Sequence, residues 1–130
     1  MKRISVFVLS IVASIALQAQ RQMEALDRGV VAIRNGQGQT FVSWRLLGTE
    51  PQGLAFNLYR TKGGKTTKLN ASPLTKTTGF LDKEVDTTAT VSYAVKTVQK
   101  GKESPASKAF TLQPGNQPYF SIPLQTPKGY

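Results

Sequence analysis

From residue 30 onward, apolar residues recur at every second position in short runs, and the runs are separated by Gly, Pro, Asn and Asp. This is the pattern of antiparallel strands with one buried face. Residues 30–33 (VVAI) open the series, and Asn35-Gly36-Gln37-Gly38 supplies residues that tolerate positive φ in a hairpin turn. Over residues 41–47 the alternation puts Val42, Trp44 and Leu46 on one face and Ser43 and Arg45 on the other. A connection at 48–53, containing Pro51, leads to residues 54–60, where Leu54, Phe56 and Leu58 point inward and Asn57 and Tyr59 outward. Arg60 is expected outward with Tyr59. After the Gly63-Gly64 turn, residues 68–71 form a polar edge candidate and residues 79–82 a brief strand ending at an acidic turn. The longest run, 90–99, carries Val91, Tyr93, Val95 and Thr97 on one side; Lys100-Gly101-Lys102 turns it, and residues 109–112 supply the last strand.

Seven short strands at 8–15 residue intervals, with no helix-period pattern among them, predict an all-β antiparallel two-sheet sandwich. Within it, SYAVKTVQKGKESPASKAFTL (92–112) resembles the last two strands of a fibronectin type III module, and VSWRLL resembles that module's second strand, whose Trp fills the core. The expected fold is a seven-stranded immunoglobulin/fibronectin type III-like sandwich over residues 20–112. Beyond Leu112 the composition changes. Four of the seven prolines fall at Pro114, Pro118, Pro123 and Pro127, which forbids a central strand and predicts an extended connector over 113–130. Its PYFSIPL segment is apolar enough to need a neighbour: a further C-terminal domain, or else the edge of the sandwich.

The first residues have a different grammar. Lys2 and Arg3 precede an apolar run from Ile4 to Leu17, and small Ala19 follows, so residues 1–19 read as a signal peptide cleaved after Ala19. The run is short for a membrane span of about 20 residues, leaving an uncleaved anchor as the alternative. A secreted or periplasmic protein, with no membrane association after cleavage, is expected. The absence of Cys excludes a lipid anchor on cysteine and requires the core to hold the fold without disulfides.

Composition narrows the chemistry. With neither His nor Cys, the chain lacks the usual neutral-pH general base, the commonest metal ligand and any thiolate nucleophile. No catalytic constellation is found among its 130 residues. The net charge of +10 comes from 17 Lys and Arg against 7 Asp and Glu, but the cations are scattered through turns with no dense tract, so no nucleic-acid partner is expected. Asp82, Glu84 and Asp86, at i, i+2 and i+4, look superficially like a calcium loop, yet they lack the turn glycine and the distal glutamate. They are read as a solvated turn, and no metal is assigned to this chain.

Four stretches taken in order, RQMEALDRGVVAI (21–33), FVSWRLLGTEPQGLAFNLYR (41–60), LNASPLTKTTGFLD (69–82) and GNQPYFSIPLQTPKGY (115–130), resemble the amino-terminal part of the family 11 polysaccharide lyases that cleave rhamnogalacturonan. The resemblance implies a sandwich preceding a β-propeller that performs β-elimination on the pectin backbone with bound calcium. It makes the propeller, outside these 130 residues, the expected partner and the place for calcium. The sandwich would then be an accessory domain inactive alone. The alternatives are a carbohydrate-binding module, with Arg45, Tyr59 and Arg60 as outward residues meeting acidic pectic polysaccharide, and a freestanding fibronectin type III-like adhesion module.

Overall fold

The computed structural model describes residues 26–84, 86–126 and 129. The signal peptide expected at 1–19 lies outside them. Among the described residues no helix is long and apolar enough to cross a membrane.

Among the described residues, eight strands form two antiparallel sheets. One sheet has the order β1 (Val31–Arg34), β2 (Thr40–Ser43), β5 (Gly79–Asp82). The other runs β4 (Lys65–Lys68), β3 (Ala55–Lys62), β6 (Val91–Gln99), with β7 (Lys102–Glu103) and β8 (Phe110–Leu112) both pairing with β6. The eighth strand has a local cause. β7 pairs with Val98 and Gln99 and β8 with Val91 to Tyr93, so the two are one edge strand interrupted at 104–109. Across the gap the Ser104 and Ser107 hydroxyls accept hydrogen bonds from Thr97 N and Val95 N, both at 3.0 Å, replacing the carbonyls a continuous strand would offer.

The turns set the register. Gly63 and Gly64, with φ of 54° and 77°, close a two-residue hairpin that pairs Lys62 with Lys65, so β4 begins at once and spans Lys65–Lys68 rather than the expected 68–71. Residues 69 and 70 do something else: Leu69 N donates to Leu58 O at 2.9 Å, and the Asn70 side chain continues the ladder. Its Oδ1 accepts from Leu58 N at 2.8 Å, while Nδ2 donates to Asn57 Oδ1 and Ser72 O at 2.8 and 2.9 Å.

The core lies between the sheets. Ala32, Val42 and Trp44 come from one side and Leu54, Phe56, Leu58, Val91, Tyr93 and Val95 from the other. Trp44 meets Phe56 edge to face, with ring centroids 5.6 Å apart, a preferred aromatic geometry. Leu46 departs from the expected inward set and is 60% exposed. Pairing persists just past the end of β2, with Trp44 N bonded to Thr78 O and Arg45 N to Arg28 O, so Trp44 is still inward; Leu46 lies beyond these bonds, where the chain enters the turn closed by Glu50 N and Leu47 O.

The connector starts at the end of the sandwich where β8 finishes. Gly115 N donates to Thr87 O at 2.7 Å, and Asn116 Nδ2 donates to Gly36 O at 2.7 Å in the turn between β1 and β2. The chain then returns beside β8, where Phe120 meets Phe110 edge to face at 5.8 Å. Ile122 and Leu124 remain exposed.

Candidate functional site

Period-2 geometry assigns Arg60 to the face of Phe56 and Leu58, because it stands two residues further along the same strand. The structure confirms that geometry and corrects the outward expectation. The Arg60 guanidinium is largely buried: Nη1 donates to Asp82 Oδ1 and Oδ2 at 2.9 and 2.8 Å, and Nη2 to Glu84. Tyr93, from β6, adds its hydroxyl to Asp82 Oδ2 at 2.9 Å. Lys62, next on the same face of β3, pairs with Asp86 Oδ2 at 2.5 Å and Glu84 Oε1 at 3.6 Å.

Asp82 is therefore a buried acceptor rather than part of a solvated turn. The three carboxylates at 82, 84 and 86 line a crevice of about 10 Å³ with Arg34, Arg60 and Lys62. That arrangement does not fit calcium, which needs six to eight oxygen ligands free of competing cations. Three cations face three anions, and each carboxylate already accepts from Arg60 or Lys62. The Lys62 ammonium, together with the Thr88 hydroxyl and amide, holds the Asp86 carboxyl far below the usual carboxylate range. Burial, together with the neighbouring Asp82, pushes the Tyr93 phenol up to about 12. Arg34 is also buried here, with Nη1 donating to Asp86 O at 3.2 Å. The cluster ties the strand ends together, with Glu84 as its exposed member.

Tyr59 sits on the outer face of the five-stranded sheet. Its hydroxyl donates to Glu103 Oε1 at 2.5 Å, Asn57 Nδ2 donates to the same oxygen at 2.6 Å, and Lys96 Nζ lies 4.8 Å above the ring. These bonds pull the Glu103 carboxyl down to about 2 and raise the Tyr59 phenol. One face of the ring is thus occupied by a cation, which reduces its use as a stacking platform. Arg45 is exposed on the outer face of the other sheet and lies against Gly29, where an added Cβ would meet its Nε at 2.9 Å. Arg45, Tyr59 and Arg60 therefore occupy one outer face, the opposite outer face and the interior, and do not converge.

The residues that sequence reasoning passed over are mostly polar braces. Arg28 makes a two-pronged ion pair with Glu50, lies 5.2 Å over the Phe56 ring and donates to Arg45 O at 2.9 Å. Its hydrogen bonds lower the Glu50 carboxyl. Nothing in a run of loop residues announces such pairings, since the partners are 22 positions apart. Among the described residues, no three or more His, Cys, Asp or Glu side chains form a group that could hold a metal ion.

This sandwich, without a converging reactive set, matches known proteins along nearly its whole described length. The family model for the rhamnogalacturonan I lyases beta-sheet domain matches residues 21–112. The rhamnogalacturonan endolyase YesW of Bacillus subtilis is 48% identical over 111 residues, and the exolyase YesX of the same organism 41% over 110. Each match takes in 85% of this chain but 16% of the relative, so the chain spans about a sixth of the length of the relatives it matches. A solved rhamnogalacturonan lyase of Bacillus licheniformis superposes with a TM-score of 0.63 at 46% identity, over 82% of this chain and 17% of that one. A fibronectin type III-like protein from Clostridium thermocellum superposes with a TM-score of 0.53 at 25% identity, over 65% of this chain and 86% of that one. The chain belongs to the family of the rhamnogalacturonan I lyase beta-sheet domain.

Proposed function

We propose that this chain is the N-terminal accessory sandwich of an exported rhamnogalacturonan lyase and carries none of the catalytic groups itself. The observation behind this reading is the match of the entire sandwich to lyases of which it makes up about one sixth. β-Elimination removes the proton α to a uronate carboxylate and needs a base together with a cation for the developing carbanion. Asp82, Asp86 and Glu103 are tied to Arg60, Lys62 and Tyr59, which supports a structural role for these three carboxylates. Base and calcium belong to a catalytic propeller, and the leader at 1–19 directs the product out of the cytoplasm.

In this reading the sandwich steadies the catalytic domain, with residues 118–124 of the connector lying between them. Tyr119, Ile122 and Leu124 are exposed, and burying them against a neighbour would stabilise the junction by roughly 25 cal/mol per Å² of apolar surface. The test is to replace the matched region of the Bacillus subtilis endolyase with this chain. Retained lyase activity supports the assignment; a soluble, folded chimera without activity overturns it.

A further inference from the structure

The two outer faces of the sandwich differ in kind. On the five-stranded sheet a row of hydroxyls crosses four strands: Thr66 and Thr61 bond at 2.8 Å, Thr61 is paired with Ser92, and Ser92 and Thr111 bond at 3.0 Å. This is the polar surface expected of a sheet facing water. On the three-stranded sheet the corresponding row is apolar. Ile33 pairs with Phe41, and Phe41 pairs with Leu81, so the three side chains stand side by side across β1, β2 and β5. Phe41 is 51% exposed and Leu81 38%. The Phe41 ring is also held in place: an added Cβ on Gly79 would come within 2.8 Å of its Cζ, so the ring lies over the glycine of the neighbouring strand. Val31 shares this face two residues before Ile33, and Arg45 stands at its margin.

We propose that the Ile33–Phe41–Leu81 face is the surface that receives the catalytic domain. The inference rests on the lyase assignment and adds the side of the sandwich on which that domain sits. A large, pre-set aromatic at the centre with an arginine at the margin is the composition of a protein interface rather than of a solvated sheet. The route of the connector favours this occupant over others. Asn116 pins it to Gly36, in the turn joining β1 and β2, and its following residues share a groove of about 310 Å³ with Arg34 of β1 and with β8. A domain joined through the connector is thus delivered beside β1, the outer strand of this same sheet.

The test uses Phe41→Thr combined with Leu81→Thr, which places a β-branched strand former at both positions, in the 130-residue chain and in the endolyase chimera. The expected result is a thermal midpoint unchanged in the chain alone, but lowered by several degrees in the chimera, together with faster protease cleavage in the connector. Equal destabilisation of both would make the row part of the sandwich's own stability and overturn the proposal, as would no effect in either. A chain that sediments as a dimer, becomes monomeric with the double substitution and leaves the chimera unaffected would identify a second copy as the occupant. Activity of the unsubstituted chimera reports separately: an inactive chimera still loosened by the double substitution would sink the lyase assignment and leave the contact standing.

Discussion

Arg60 reaches across the interior of the sandwich and donates two hydrogen bonds from Nη1 to the carboxylate of Asp82, joining β3 of one sheet to β5 of the other. Asp82 also accepts from the Tyr93 hydroxyl and from Glu84 N at 3.1 Å, so four hydrogen bonds from three donor groups depend on one side chain. Removing either ionic partner leaves the other charged and shut away from water. Arg60→Met is therefore expected to cost about 3–5 kcal/mol. Urea unfolding followed by tryptophan fluorescence measures it, and a loss under about 1 kcal/mol would mean the pair is solvated after all.

Trp44 tests the core from the other end. It is 5% exposed and packed on Phe56, so Trp44→Ala should destabilise by about 3–5 kcal/mol through lost burial and the cavity left behind. Near-ultraviolet circular dichroism and denaturant titration report the loss. A variant that keeps full stability would place the indole outside the core.

The shifted groups predict where stability depends on pH. Glu103 is held at about 2 by its bonds from Tyr59 and Asn57, and Asp86 is depressed further by Lys62. Both bind fewer protons folded than unfolded, so their contribution is present above the ordinary carboxylate range near 4 and is lost as pH falls toward 2. Tyr93 runs the opposite way. Its folded value of about 12 lies above the unfolded value near 10, so its contribution is complete below pH 10 and is lost as pH rises through 12. Thermal midpoints measured across both windows should fall at each end and stay level between them; a shallower acid limb in Glu103→Gln would assign that part of the fall to Glu103, the rest staying with Asp86.

Charge on this chain is spread rather than focused, and that governs its behaviour toward acidic glycans. With a net charge of +10, migration in a gel containing polygalacturonate should be slowed, and the slowing should fade as salt shortens the screening length to about 3 Å at 1 M. Arg45→Ala and Tyr59→Ala should each change it little, because the two side chains are on opposite outer faces. Loss of retardation from either substitution alone would instead locate a focused glycan site there.

Much of the fold was legible because alternation is a local property. The inward set of Val42, Trp44, Phe56, Leu58, Val91, Tyr93 and Val95 follows from period 2, and so does the two-sheet arrangement. Arg60 shows what local composition conceals: the same period pointed inward, but a charged side chain is expected in water unless a partner is known, and Asp82 is 22 residues away. Leu46 departs for the converse reason: period 2 holds through Trp44 and Arg45, whose amides still bond neighbouring segments, and ends where the chain enters the turn at 47–50. The split of the last strand into β7 and β8 depends on two serine hydroxyls replacing carbonyls, which no apolar pattern records. The apolar outer row was present in the alternation, as Phe41 shares a face with Ser43 and Arg45, but its meaning emerged only when Ile33 and Leu81 were aligned beside it.

The accessory role is tested most directly by incubating the isolated 130-residue protein with rhamnogalacturonan I in the presence of calcium and following the ultraviolet absorbance of unsaturated uronate ends. The account predicts no increase over a protein-free control, because the proposed reading puts the base and the cation in the catalytic domain, while Asp82, Asp86 and Glu103 are tied into the sandwich. A steady, enzyme-dependent rise that disappears on heat denaturation would contradict it and place a catalytic site within these residues.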